Sequence, residues 1–297
     1  MKNFLLKVSL FLLILSAFNG ILWFAANQLY FKHYQNCSLN YSAYLLADSH
    51  GLTLKHFTEK HGVYNFSGGS DSYFDMKRKI SFLISKTDVK KIYITVDGHT
   101  LSQYREKINS LDRSLYFLTP EICNSYYEYF KYRYLQFHVI LFQPGTRAVI
   151  KHYLLSKLRK LSLKNKERNP EKARAHWGEY SANERIDRAK RRFRRQYPSE
   201  TISYELRQSL IDIINLCKKY NIELIGIKFP LSSDYIKLLS NKAFDGEKLL
   251  KLAGFKVLDY TKIFIENNSY FNNQDHLNDK GCKKFVELLF DNLSKRQ

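Results

Sequence analysis

The sequence predicts an α/β fold: a parallel sheet covered by helices on both faces in a three-layer arrangement, with a helical basic insertion and one N-terminal membrane-spanning helix. Three observations predict it. Strand-like apolar runs alternate with amphipathic helical segments over residues 44–96, the same alternation resumes over residues 210–258, and the first 31 residues are almost free of charge. A chain of 297 residues with 44% apolar and 15% aromatic content can build one sizeable core. One domain at 36–297 is therefore expected behind an anchor at 1–35, with the insertion at about 104–204.

The anchor comes first. Lys2 and Lys7 are followed by no charged residue until Lys32, and about 18 apolar residues suffice to cross a bilayer core. The small-residue cleavage candidate Leu15-Ser16-Ala17 lies inside the apolar run and is followed by more of it, which favours a retained anchor over a removed signal. Lysines at the start keep that end in the cytoplasm, so the main domain is expected to face outward from the cytoplasmic membrane. Leu135–Ile150 is interrupted by Gln136, His138, Gln143, Pro144 and Arg147 and does not read as a second crossing.

The elements of the main domain follow in order. Tyr44–Ala47 reads as a strand, Leu52–Lys60 as a helix, Gly62–Ser67 as a short strand, Tyr73–Ser85 as a helix with Phe74, Ile80 and Leu83 on its apolar side, and Lys90–Val96 as a third strand. After the insertion, the helix around Leu210–Cys217 leads to the strand Glu223–Phe229. A helix at Asp234–Ser240, a strand at Phe255–Leu258 and a last helix carrying Phe285, Leu288 and Leu289 complete the pattern. Four cysteines without Cys-x-x-Cys spacing argue against a zinc ribbon. Cys217 and Cys282 read as small buried residues, and Cys37 with Cys123 is the more plausible pair if any disulfide forms.

The insertion is of two kinds. Residues 126–134 are crowded with aromatic rings; at helical spacing Tyr126, Phe130 and Phe137 share a face, which reads as core, with sugar stacking or the membrane interface as alternatives. Residues 151–195 are strongly basic and end in Arg191, Arg192, Phe193, Arg194 and Arg195, a run that accounts for much of the net charge of +20. A solvated helical face is the plain reading. Anionic lipid headgroups come next, then an acidic polysaccharide, and nucleic acid last because an outward-facing domain seldom meets it.

Two distant segments carry chemistry. Ala47-Asp48-Ser49-His50 follows the first strand, at the sheet edge where α/β proteins bind ligands, and Asn273-Gln274-Asp275-His276 precedes the last helix. Ser49 alone would pass for a turn residue. A serine hydroxyl becomes a nucleophile when a base reaches it, and His276 can be that base despite its distance in sequence. His50, His99 and His276 with Asp48 or Asp97 match no metal-ligand spacing, and no metal is expected.

These blocks resemble the SGNH hydrolase superfamily, in particular its membrane-anchored branch of alginate O-acetyltransferase-like and D-alanyl transfer proteins. The resemblance implies Ser49 as nucleophile, His276 as base, and Asn273 or Asp275 as the group that orients the imidazole; Asn273 stands where the family carries an aspartate. It places the oxyanion donors at the amides of Ser49 and Gly68 or Gly69. The family's Gly-x-Asn is absent after the third strand, where His99 could supply the missing donor.

The implied function is a membrane-anchored serine esterase or O-acyltransferase acting on a cell-envelope glycan, without a cofactor. A glycan or acyl donor would be the partner, and a membrane-bound acyltransferase a further one. The alternatives are a catalytically inactive SGNH-like protein that binds a glycan or membrane partner during envelope polymer assembly, and a polyanion-binding protein acting through Arg191, Arg192, Arg194 and Arg195.

Overall fold

The short apolar runs find one another as parallel strands. In the computed structural model, which describes residues 1–140, 143, 155, 176–239, 244 and 246–294, the strands β1 (Ala43–Leu46), β2 (Val63–Asn65), β3 (Lys91–Thr95), β4 (Glu223–Lys228) and β5 (Lys256–Asp259) form one parallel sheet in the order β2-β1-β3-β4-β5. The expected α/β class is the observed one. A separate antiparallel pair, β6 (Phe271–Asn273) and β7 (His276–Leu277), lies near the end of the chain.

Among the described residues, the helices that frame the sheet and the site are α1 (Lys2–Ala26), α2 (Ser49–Leu52), α3 (Tyr73–Lys86), α4 (Ala182–Gln196), α5 (Tyr204–Lys219), α6 (Ser233–Leu239), α7 (Gly246–Leu252) and α8 (Asp279–Ser294), alongside other short helices such as Gln103–Lys107 and Tyr126–Phe130. Alternation along the strands sends side chains to opposite faces. Leu45, Tyr93, Ile225 and Ile227 join Phe285, Val286 and Leu289 of α8 in one core cluster. On the opposite face, Gly226 lies against Leu250 of α7 so closely that an added Cβ would stand 2.9 Å from its Cδ2. α5 packs on both α3 and α7.

The chain divides into two compact units, Ser38–Leu111 with Lys172–Gln297, and Met1–Cys37 with Asp112–Glu171. The first holds the sheet. The inserted section expected as one block is therefore shared: α4 belongs to the α/β unit, and the aromatic segment belongs with α1.

In that second unit one helix, Lys2–Gln35, is long and apolar enough to cross a membrane, with a mean hydropathy of 2.1 in its most apolar window. Ala26, Phe31, Leu115, Phe137 and Ile140 form its small core.

Three local expectations are corrected. The helix expected over Leu52–Lys60 is only α2, because Lys55 takes a positive φ of 50°, a left-handed conformation that ends regular helix. Cys37 and Cys123 form no disulfide, while Cys217 and Cys282 are buried thiols. Of the aromatic stripe only Phe137 is buried; Tyr126 and Phe130 are exposed. Residues 151–154 and 156–175 of the basic stretch, and Ser240 at the end of the expected helix, lie outside the described residues.

Candidate active site

Ser49 stands at the carboxyl end of β1 as the first residue of α2. Asp48 caps that turn by accepting the His50 amide on Oδ1 at 3.0 Å. The approach here is tight: a Cβ on Gly51 would lie 2.5 Å from the Ala47 Cβ and 2.6 Å from the Ser67 Oγ, so glycine is required. Ser49 itself stays partly exposed, as its role would need.

His276 arrives on the β6–β7 hairpin. Its Nε2 lies 2.8 Å from Ser49 Oγ, although the two residues are far apart in sequence. Its Nδ1 lies 2.9 Å from Asn273 Oδ1 and 3.0 Å from Asp275 Oδ1. An ionised carboxylate only accepts, so Nδ1 carries the proton and Nε2 is left to accept from the serine hydroxyl. Adjacent residues on a strand would face apart, but the turn at Gln274 and Asp275 folds them together. Asn273 Oδ1 also takes the Asp275 amide at 3.1 Å, which fixes that turn.

Asp275 is buried and richly served. Gln274 Nε2 donates to Oδ1 at 2.8 Å, while Arg192 Nε at 2.7 Å and Gln196 Nε2 at 3.1 Å donate to Oδ2. Burial alone would raise its pKa. The charge of His276, the hydrogen bond from His276, the nearby His50 and the charge of Arg192 outweigh that and hold it well below the usual carboxylate range.

Below Ser49 lies a second layer of charge. His50 Nδ1 meets Asp97 Oδ2 at 2.6 Å and its Nε2 faces Asp275 Oδ2 at 3.6 Å. His99 Nε2 meets Asp48 Oδ2 at 2.8 Å, with Arg105 Nη2 3.6 Å from the same oxygen. Asp97 also accepts the Phe229 amide at 2.8 Å, tying β4 to the site. Burial opposes a charge on His50, yet Asp48 and Asp97, with Asp275 close by and the hydrogen bond to Asp97, raise its pKa well above the ordinary histidine range. For Asp48 too, burial is outweighed, by His50, His99 and Arg105, and its pKa is lowered well below the usual value. His99 goes the other way, lowered by burial and by the charges of His50 and Arg105 against the pull of Asp48.

The four expected oxyanion positions are not equivalent. Gly68 gives its amide to the Ala47 carbonyl at 3.1 Å, and His99 is turned to Asp48, so neither is a free donor. Ser49 opens a helical turn, where amides lack intrahelical acceptors, and Gly69 lies in the following turn. The expected arginine group also divides. Arg192 turns inward onto Asp275, whereas Arg191, Arg194 and Arg195 are exposed, the last over the Tyr104 ring at 5.5 Å.

No protein-family model and no curated protein matches this chain. Among solved structures, a protein of Bacteroides fragilis NCTC 9343 described as a "putative acylhydrolase" is similar over 91% of this chain and 97% of its own, at 8% identity and a TM-score of 0.42.

A cavity of about 600 Å³ opens beside His276, lined by Thr53, Trp177, Tyr180, Arg188, Asn273 and Gln274 among others. Arg188 lies over Tyr180, its Cζ 4.0 Å from the ring centroid. Sequence reasoning placed Arg192 in a polyanion-binding group and did not foresee its bond to Asp275, and it missed three residues: Gln196 on Asp275, and Arg188 and Tyr180 at the cavity. The signal was present. Arg185, Ala189, Arg192 and Gln196 recur at helical spacing, and that face is turned inward.

Proposed function

We propose that this chain is a serine esterase or O-acyltransferase, held at a membrane by α1, that acts on an acylated cell-envelope glycan. The observation that carries the reading is Ser49 Oγ at 2.8 Å from His276 Nε2, with the far nitrogen of the same ring held by Asp275 and Asn273. That is nucleophile, base and orienting group in sequence.

Ser49 attacks the acyl carbonyl as His276 takes its proton. The carbonyl oxygen becomes an oxyanion, for which the amides of Ser49 and Gly69 are the candidate donors. His276 returns the proton to the departing alkoxide, leaving an acyl-serine, and a water or an acceptor hydroxyl, deprotonated by His276, releases the acyl group. Hydrolysis and transfer differ only in which hydroxyl arrives. Arg188 above Tyr180 at the cavity supports a substrate that carries an anionic group, as an acidic glycan does.

A fluorophosphonate probe tests the chemistry, because it reacts with activated serines and not with ordinary ones. Labelling of the wild type that Ser49→Ala abolishes is the expected result. Labelling that persists in Ser49→Ala, or no labelling of the wild type, would sink the enzymatic reading and favour the glycan-binding alternative, for which the engaged Gly68 and His99 already speak.

A further inference from the structure

The aromatic segment returns to α1 at Asn19. Asn19 sits near the middle of the charge-free stretch between Lys7 and Lys32. Its Nδ2 donates to the His138 carbonyl and its Oδ1 accepts the Ile140 amide, each at 3.0 Å. Gln143 Nε2 donates to the carbonyls of Gln136 at 2.7 Å and Phe137 at 2.9 Å. Two side-chain amides thus satisfy the backbone where the helical segment ends. Irregular backbone survives at membrane depth only when protein groups satisfy it in this way.

The outer surface of the same segment fits the boundary of a bilayer. Tyr126, Tyr127, Phe130, Tyr134 and Leu135 are all exposed, Tyr127 at 73%. Tyrosine rings with a polar tip concentrate at headgroup level. Lys131 is exposed among them, and Arg133 lies over the Tyr116 ring, its Cζ 4.8 Å from the centroid. The inner side packs on the helix that would cross: Phe137 meets Phe31 at 5.0 Å between ring centroids and His138 meets Trp23 at 5.1 Å. Ala26 of α1, and Phe31 further along the same Lys2–Gln35 span, are wholly buried in this unit, so the spanning helix is part of its core.

We propose that residues 126–140 enter the bilayer that α1 crosses, with Tyr126, Tyr127, Phe130 and Tyr134 seated among the lipid headgroups and the 136–140 backbone deeper beside Asn19. The occupant of the exposed aromatic face is lipid. In the same unit the apolar residues of α1, among them Leu10 to Ile14, Ile21 and Phe24, are as exposed as the aromatic ones. The inference is independent of the acyl chemistry.

Depth-dependent quenching tests it on the full chain in nanodiscs of phosphatidylcholine and phosphatidylglycerol. Tyr127→Cys and Phe130→Cys, made with Cys37→Ser and Cys123→Ser, are labelled with an environment-sensitive dye; Tyr204→Cys, at an exposed position of the α/β unit, serves as control. Dye at 127 and 130 is expected to shift to the blue and to lose about half its emission or more to spin-labelled lipid, while dye at 204 is unaffected. Water-like emission at 127 and 130, quenched by aqueous iodide as strongly as at 204, overturns the proposal and leaves the face to a protein partner. The unsubstituted chain is read in parallel with a photoactivatable phosphatidylcholine. Adducts within 126–137 as well as α1 support lipid contact, and adducts confined to α1 refute it.

Discussion

Arg192 Nε donates to Asp275 Oδ2 at 2.7 Å, so a helix drawn from the basic insertion holds the carboxylate that faces His276. Asp275 is fully buried, and the guanidinium contributes to keeping it ionised. Removing that cation leaves the buried carboxylate short of a donor and of a neighbouring charge. Arg192→Gln is therefore expected to lower kcat/KM about tenfold and to cost about 1–3 kcal/mol of stability. Arg192→Lys, which keeps the charge, should restore most of the activity. A kcat/KM unmoved in Arg192→Gln would reduce the contact to a structural tie.

Asp275 and Asn273 both reach Nδ1 of His276, but only the first brings a negative charge to an imidazolium. Losing that charge, or presenting the wrong tautomer, is expensive for catalysis. Asp275→Asn should lower kcat by about 10²-fold or more with little change in KM, and Asn273→Ala by no more than about tenfold. Steady-state kinetics with an aryl acetate separates the two. Equal losses would mean that Asn273 takes the aspartate's place and that Asp275 serves the turn.

The cavity beside His276 is lined by Arg188, which is exposed and lies over the Tyr180 ring. If the acyl substrate is anionic, Arg188 contributes to KM and not to the chemical step. Arg188→Gln is expected to reduce kcat/KM for 4-acetoxybenzoate about tenfold at low salt and to leave phenyl acetate unchanged, with the difference shrinking as salt is raised. An equal loss on both esters would assign Arg188 to the shape of the cavity.

Much of the fold and part of the site were legible because their signals are local. The sheet strands are short apolar runs between turn residues, and Ser49 and His276 each close a recognisable block. Arg192 and Gln196 were hidden for a physical reason: in a run of arginines, composition does not say which one turns inward, and only the spacing of Ala189 and Phe193 beside them carries that information. The break at Lys55 was equally hidden, since a positive φ at a lysine is a tertiary imposition that no propensity announces. Asp97 and His99 stand two residues apart after β3, but their separate partners, His50 and Asp48, are chosen by the parallel pairing of β1 with β3.

His50 provides the pH dependence. It stands buried between Asp97 and Asp275, with His99 and His276 each 5.1 Å away between ring centroids. Its folded pKa is raised well above the ordinary value near 6.5, so its proton is bound more tightly in the folded state than in the unfolded chain. That contribution is complete below about pH 6.5 and is lost as pH rises through the folded value. Asp48 and Asp275 have lowered pKa values, and their contributions are present above about pH 3.9 and vanish in acid. His99, whose pKa is lowered, works against His50 by giving up stability below about pH 6.5. The comparison of wild type with His50→Gln isolates one of these groups. The difference in Tm between them should be largest between about pH 5 and 6 and should narrow steadily at higher pH. A difference that stays constant, or widens as pH rises, would mean that His50 is neutral between its two carboxylates and that the layer beneath Ser49 is held by hydrogen bonds alone.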